Sequence, residues 1–131
     1  MTHTANSVEE GTELQLKFDA AGLITCVTVD AQTRDVLMVA HMSEDALKQT
    51  LQTGIMTYWS RSRQALWVKG ETSGATQKLQ EMRIDCDQDA IVCAVTVAVP
   101  EQTCHTGRKT CFYRRVELAD GMVELRHTDI E

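Results

Sequence analysis

The chain has 131 residues, 43% of them hydrophobic, and a formal net charge of −6 at pH 7. This length predicts a single domain over residues 1–131, and no apolar run approaches the ~20 residues that a membrane span needs. The acidic balance disfavours nucleic-acid partners, because phosphate backbones reward clustered Lys and Arg, but a local basic patch would still suit a small phosphorylated ligand.

The N-terminus and the cysteines indicate the compartment. The start, MTHTANSVEEGTE, lacks the basic and apolar parts of an export signal, so we expect a cytoplasmic protein with no membrane partner. Residues 1–12 are expected to form a flexible tail. Five Cys in such a chain favour reduced thiols and metal ligation over disulfides. Cys26 and Cys93 lie among apolar or β-branched neighbours and are interpreted as core residues.

The first predicted elements are strands. Leu14, Leu16 and Phe18 alternate with polar residues, which predicts a half-buried strand. Residues 23–29 are rich in β-branched side chains, and a polar connection leads from them into residues 36–40. This pattern predicts a β-hairpin.

A short helix follows. Ser43 is a good N-cap with acidic residues directly after it, Leu47 and Leu51 lie four residues apart, and Gly54 supplies a stop. The apolar stripe is narrow, so we expect the helix to cover a sheet.

A basic pair lies at the end of the next predicted strand, residues 55–59. If the chain stays extended, Arg61 and Arg63 project on one face and suit planar recognition of phosphate. A solvated, charged edge strand is the alternative. Trp59 and Trp67 flank the pair and favour a binding surface, although both also suit a core.

The stretch KGETSG, residues 69–74, follows directly. A glycine-bounded loop with Lys69 and the Ser73 hydroxyl offers a cation and backbone N–H groups to a phosphate. It is not a P-loop, because the required spacing is missing.

The second half of the chain is predicted to be mainly strands. Residues 76–84 have mixed periodicity, and we prefer a strand to a helix there. Pro100 ends the most hydrophobic run, and Asp120-Gly121 is a hairpin signal. The predicted strands are residues 76–84, 90–99, 111–118 and 122–126, so the chain is β-rich with one principal helix.

The segment DCDQD contains two kinds of metal ligand. If it is extended, Asp85, Asp87 and Asp89 point to one face and Cys86 to the other. Carboxylates suit Mg²⁺ and similar cations and thiolates suit Zn²⁺, so two distinct sites are predicted. An EF-hand is excluded, because Gly at position six and Glu at position twelve are missing. A solvated acidic turn is the alternative.

Three cysteines suggest a zinc site. Cys86, Cys104 and Cys111 with an open fourth position would form a site of the catalytic type. The chain has no C-x-x-C pair, so these ligands must converge through the fold or across a subunit interface. His105 next to Cys104 favours this reading over ordinary buried thiols.

The motifs DCDQDA, CHTGRKTCF and YWSRSRQALWVKGETSGATQ together resemble phosphoribosyl-AMP cyclohydrolase, over about residues 35–115. The resemblance implies a folded mixed sheet or pseudobarrel that works as a homodimer, with zinc ligands from both chains. Members of this family are often fused to a phosphoribosyl-ATP pyrophosphohydrolase domain. This chain ends soon after Cys111, so we expect the cyclohydrolase step alone.

The resemblance also implies a reaction. It is the hydrolysis of the N1–C6 bond in the purine ring of 1-(5-phosphoribosyl)-AMP, which opens the ring to an imidazole carboxamide nucleotide in histidine biosynthesis. We assign zinc to the three cysteines, Mg²⁺ to the three Asp residues, and proton transfer, or less favourably a further metal ligand, to His105. The substrate-binding candidates are Arg61, Arg63, Lys69, Ser73 and Trp59.

An alternative of another class is a non-catalytic, zinc-stabilised dimer that binds a nucleotide or a short RNA through Arg61, Arg63 and Lys69. It leaves the acidic triplet unexplained, and the net charge counts against RNA. A zinc nucleobase deaminase would need H-x-E and P-C-x-x-C signatures, which the chain lacks.

Overall fold

The computed structural model describes residues 7–128, so the first six residues of the predicted tail lie outside it. This part of the chain is β-rich with one main helix, and none of its helices is long and apolar enough to cross a membrane. The helices are α1 (Ser7–Glu10) and α2 (Glu44–Thr53), with a 3₁₀ turn at Pro100–Gln102. The strands are β1 (Leu23–Asp30), β2 (Val36–Ser43), β3 (Thr57–Ser60), β4 (Ala65–Val68), β5 (Gln77–Ile84), β6 (Ala90–Val97), β7 (Arg114–Ala119) and β8 (Met122–His127).

The main sheet has six strands in the order β4-β3-β2-β1-β6-β5. Its pairs are antiparallel except β1 and β6, which are parallel. The backbone N–H of Met56 donates to the Gln77 carbonyl (2.9 Å), and that of Leu79 donates to Gly54 (2.8 Å). The edge strand β5 therefore returns to the residues that precede β3, and the sheet curls into a half-barrel. This confirms the predicted mixed, folded sheet.

The core lies inside this curl, beneath α2. Leu47 is buried against the sheet, whereas Leu51 is half-exposed, as the narrow apolar stripe predicts. Cys26 and Cys93 are fully buried, which confirms them as core residues. The other large buried side chains include Ile24, Leu37, Met42, Met56, Tyr58, Ile91 and Val95.

Local signals correctly predicted the ends of α2 and the last hairpin. The Ser43 hydroxyl accepts from the Ala46 N–H (3.2 Å), and Gly54 adopts a left-handed φ of 76°. Asp120 and Gly121 both have positive φ, 52° and 75°, as the tight reversal of β7 into β8 requires.

The prediction of a strand at residues 14–18 is wrong. Leu16 and Phe18 do pack against the core, which explains their alternation. The Lys17 N–H, however, donates to the Gln88 carbonyl in a turn (2.8 Å), rather than to a neighbouring strand. Residues 14–18 bury alternate side chains but do not pair with the edge of a sheet, so the segment is irregular.

Two stretches that we expected to be extended are turns. Residues 61–64, which contain Arg61 and Arg63, reverse the chain between β3 and β4. Residues 85–89 reverse it between β5 and β6. Each turn has a glutamine with positive φ, Gln64 at 52° and Gln88 at 59°. The strands on either side pair antiparallel, so the chain must turn at these points, and the predicted alternation of faces is wrong in both.

A buried polar chain crosses the interior of the half-barrel. The Tyr58 hydroxyl lies 2.7 Å from the Thr28 hydroxyl and donates to the Gln77 side-chain carbonyl (2.6 Å). The Gln77 amide in turn donates to the Met38 sulfur (3.4 Å). Buried polar groups need such partners, so this chain stabilises the curl of the sheet.

We expect Tyr58→Phe to lower the free energy of unfolding by about 1–3 kcal/mol, because it leaves the buried Gln77 carbonyl without its donor. Urea denaturation measures this change. The matched control is Tyr113→Phe, at a half-buried tyrosine, with an expected change within about 0.5 kcal/mol. Equal effects of the two substitutions would contradict a stabilising role for the buried chain.

Candidate active site

A cavity of about 650 Å³ lies between the loop after β4 and the loop that contains Cys104. It brings together six of the residues predicted from sequence: Arg63, Lys69, Ser73, Cys104, His105 and Cys111. Met38, Gln102 and Thr103 also line it. No sequence pattern indicated these three, since Met38 comes from the distant strand β2 and Gln102 and Thr103 carry no motif although they directly precede Cys104.

The loop after β4 is folded tightly by glycines. Gly70 has a φ of 80°, and a Cβ there would lie 2.1 Å from the Ala75 carbonyl carbon, so no larger residue fits without moving the backbone. The Gly74 N–H closes the loop by donating to the Gly70 carbonyl (2.8 Å). This fold places Lys69 and Ser73 on the cavity wall.

The opposite wall is a turn that follows the 3₁₀ segment. The Cys104 N–H donates to the Arg108 carbonyl, and the Gly107 N–H donates back to Cys104, both at 2.9 Å. The Cys111 N–H donates to the Leu37 carbonyl on β2 (2.7 Å), before β7 begins. The two thiols therefore reach the same cavity, with an exposed His105 beside them.

The two thiols have different electrostatic environments. Burial opposes ionisation of Cys104, but hydrogen bonds from Thr106 and Cys111 and the charge of Lys69 outweigh it and lower its pKa. Burial and the hydrogen bond with Cys104 raise the pKa of Cys111 to about 11. Cys104 is therefore the more acidic of the two thiols, and a bound cation would favour ionisation of both.

Lys69 is a buried cation in this cavity, only 7% exposed. Its Nζ lies 5.6 Å from the centre of the Trp67 ring. Burial lowers its pKa, while Cys111 and Cys104 act in the opposite direction. A buried ammonium group of this kind is suited to an anionic ligand, which would replace its lost hydration.

A second, more open cavity of about 660 Å³ adjoins the first. Trp59 and Arg61 line it rather than the thiol cavity, and Arg63 and Trp67 border both. His41 on β2 also lines this cavity, opposite Trp59 in the register of β2 and β3. Burial, followed by the charge of Arg61, lowers the pKa of His41. Both arginines of the predicted basic pair therefore line the open cavity, and only Arg63 also reaches the thiol cavity.

The acidic turn brings its three carboxylates together, although it is not extended. Asp85 accepts from the Asp89 and Ala90 N–H groups (2.9 and 3.1 Å), and ligand oxygens of Asp85, Asp87 and Asp89 all lie within 4.8 Å of one another. Hydrogen bonds with Asp85 and Asp87, then their charges, raise the pKa of Asp89 to about 6. This all-oxygen group fits a hard divalent cation such as Mg²⁺.

Cys86 is exposed and lies apart from the other two thiols. It lines a small hollow beside the N-terminal segment, whereas Cys104 and Cys111 line the main cavity. Within residues 7–128, the acidic triplet is the one convergent group of three or more potential metal ligands. A single chain therefore supplies two soft ligands to the main cavity, which fits a zinc site only in part.

Comparisons with known proteins identify the family. The family model described as phosphoribosyl-AMP cyclohydrolase matches residues 38–113. A phosphoribosyl-AMP cyclohydrolase of Bradyrhizobium diazoefficiens is 53% identical over all of this chain and 92% of its own length. Those of Brucella canis and Brucella anthropi are each 56% identical over 91% of this chain, and over 86% and 84% of their own lengths. The chain therefore belongs to the phosphoribosyl-AMP cyclohydrolase family and is an enzyme of that type.

Proposed function

We propose that this enzyme hydrolyses the N1–C6 bond in the purine ring of 1-(5-phosphoribosyl)-AMP, in histidine biosynthesis. The observation that carries this proposal is the convergence of two thiols, a histidine and a buried lysine in one cavity, with Arg63 at its border. These groups match the reaction, because it needs an activated water, a proton carrier and cations that bind phosphate.

Zinc would be held by Cys104 and Cys111 together with Cys86 of the partner subunit. The separation of Cys86 from the other two thiols within one chain supports this shared site. A zinc ion in this position would supply Lewis-acid activation of a water molecule. It would also lower the pKa of both Cys104 and Cys111, because metal binding favours both thiolates.

The substrate would span both cavities. It has a phosphate at each end and the purine between them. Lys69 and Ser73 would bind one phosphate in the main cavity, and Arg61 and Arg63 the other in the open cavity. Trp67 borders both cavities, so its ring would contact the purine, while Trp59 would contact the outer end. This arrangement would hold C6 beside the two thiols.

His105 is proposed as the proton carrier. It is exposed at the cavity wall, next to Cys104, where substrate and water can both reach it. The oxygen of water adds to C6 and the N1–C6 bond breaks. One water proton goes to N1 and the other to the exocyclic nitrogen, so C6 becomes a carboxamide carbon. Imidazole exchanges protons readily near neutral pH, so His105 would accept the proton from water and deliver it to N1.

Mg²⁺ would be bound by Asp85, Asp87 and Asp89, whose oxygens already converge. Its charge would relieve the repulsion among three carboxylates at neutral pH. In the proposed dimer the same turn brings Cys86 to the partner's main cavity, so this cation would offer a further contact to the substrate phosphate there.

We also propose that the enzyme is a homodimer, with the β7–β8 hairpin as a contact surface. Cross-strand pairing places four exposed apolar side chains on one face, with Arg115, Glu117 and Arg126 in ion pairs on the other. The apolar face consists of Val116, Leu118, Val123 and Leu125, each 54–75% exposed. An exposed apolar face of this kind indicates a protein partner, and a second copy would also bring the missing Cys86.

The function is tested by supplying phosphoribosyl-AMP to purified protein under anaerobic conditions, with zinc content determined and Mg²⁺ present or withheld. We expect ring-opened product only when both metals are present. Cys104→Ala should reduce turnover below detection and lower the zinc content, because it removes one of the two thiols that this chain supplies to the main cavity.

The matched control is Cys93→Ala, which removes a thiol that packs against Cys26 in the core (3.7 Å between sulfurs). It should keep its zinc. Full activity of Cys104→Ala would contradict the zinc assignment, and inactive but folded wild-type protein with both metals would contradict the proposed reaction.

The acidic turn should make the effect of Mg²⁺ depend on pH. The folded-state pKa of Asp89 is raised from 3.8 to about 6, so its contribution to stability is full below its ordinary pKa and is lost as pH rises through about 6. We therefore expect Mg²⁺ to raise the unfolding temperature more at about pH 7.5 than at about pH 5. Asp89→Asn should largely remove this difference, and an equal effect of Mg²⁺ at both pH values in wild-type protein would contradict the prediction.

The hairpin surface is tested by Leu118→Glu, which places a charge on the apolar face. We expect sedimentation to show a shift from dimer to monomer, with loss of zinc, because the partner's Cys86 is lost. Leu51→Glu on α2 is the control, since Leu51 is also exposed (51%) but lies away from the hairpin. A Leu118→Glu protein that remains a dimer would exclude this surface.

A further inference from the structure

The N-terminal segment, residues 8–17, docks against the acidic turn, residues 85–89. The contact is made by Gln88, which is 1% exposed although both residues beside it in the turn are at least partly exposed. A polar side chain buried within an exposed turn must be bonded to something that covers it. Here the cover is the N-terminal segment.

Gln88 makes four hydrogen bonds to this segment. Its side-chain carbonyl accepts from the Gln15 N–H (2.6 Å), and its amide donates to the carbonyls of Val8 (2.9 Å) and Glu13 (3.4 Å). Its main-chain carbonyl accepts from the Lys17 N–H (2.8 Å). The bonds extend over the whole segment, so one residue holds it in place.

The same residue shapes the acidic turn. Gln88 has a φ of 59°, a left-handed conformation that favours Gly or Asn over Gln. It lies between Asp87 and Asp89, so its conformation sets where their carboxylates lie. The bonds of its side chain to the segment stabilise a backbone conformation that glutamine would otherwise disfavour.

The docked segment also changes the charge around the turn. Glu9 and Glu13 line a hollow of about 290 Å³ together with Asp85 and Cys86. Docking therefore places the carboxylates of the segment beside the carboxylates of the acidic turn, and the repulsion between the two groups opposes docking. A cation at the turn would remove that opposition.

We propose that Gln88 is a positioning residue that couples docking of the N-terminal segment to divalent-cation binding at the acidic turn. This inference rests on the proposed Mg²⁺ site and adds that Gln88 holds the acidic turn of that site in place. The coupling is reciprocal: the docked segment increases cation affinity, and the cation holds the segment docked.

The test uses full-length, zinc-loaded protein carrying Gln88→Gly. Glycine adopts the positive φ without strain, so the turn keeps its backbone and loses the amide. Mn²⁺ affinity is measured by electron paramagnetic resonance, and exchange of the Gln15 and Lys17 amide hydrogens is measured with and without Mg²⁺. The control is Gln64→Gly, at an exposed glutamine with the same sign of φ (52°) in the β3–β4 turn.

We expect Gln88→Gly to weaken Mn²⁺ binding about tenfold, because the contacts that hold Asp87 and Asp89 in place are lost, and Gln64→Gly to leave it unchanged. In wild-type protein Mg²⁺ should slow exchange at Gln15. In Gln88→Gly that exchange should be fast with or without Mg²⁺, while Lys17, bonded to the main chain, is affected less. A purely structural role would not make the protection at Gln15 depend on a cation.

Two results would overturn the inference, and they differ in what else they exclude. The first is that Gln88→Gly binds Mn²⁺ with wild-type affinity and that Mg²⁺ does not change Gln15 exchange in wild-type protein. This result would exclude the coupling but leave the cation site. Failure of wild-type protein to bind Mn²⁺ removes the cation site and the coupling together.

Discussion

The structure depends on the hydrogen-bonded chain that crosses its interior. Thr28 on β1, Tyr58 on β3 and Gln77 on β5 belong to strands that are not neighbours in the sheet, yet they bond in sequence, and Gln77 continues to Met38 on β2. Because all four are buried, an uncurled sheet would leave these groups without partners. The chain therefore favours the half-barrel over an open sheet, and Met38, at its end, lies on the wall of the main cavity.

The curl explains why the cavity forms where it does. It brings β5 back to the residues before β3. The loop joining β4 to β5 must therefore turn tightly, and its glycines allow the close backbone approach that this turn requires. Lys69 is buried as a consequence, close enough to Cys104 and Cys111 for their charges to affect its pKa. The thiol turn is held on the other side by the bond from Cys111 to Leu37 on β2. Strand β2 thus contributes side chains both to the core and to the wall of the main cavity.

Local patterns predicted most elements because their causes are local. Ser43 and Gly54 bound α2 through bonds to residues three or four positions away, and hydrophobic, β-branched runs identified β1, β2 and β6. Extended structure was wrongly predicted at residues 61–64 and 85–89. In both places the partner strand, which sequence periodicity cannot reveal, requires a reversal. The strand predicted at residues 14–18 failed for a different reason, since the alternation of Leu16 and Phe18 reflects burial without pairing.

The sequence by itself determined the family, the β-rich fold with one main helix, and the residue types of the site, because motif order, caps and side-chain chemistry are properties of the linear chain. Only the tertiary structure decided that Arg63 reaches the thiol cavity while Arg61 lines only the open one, and that Cys86 lies apart from the other thiols. It also revealed Gln88 as the anchor of the N-terminal segment. These facts depend on contacts between residues as many as 80 positions apart, which spacing along the chain does not specify.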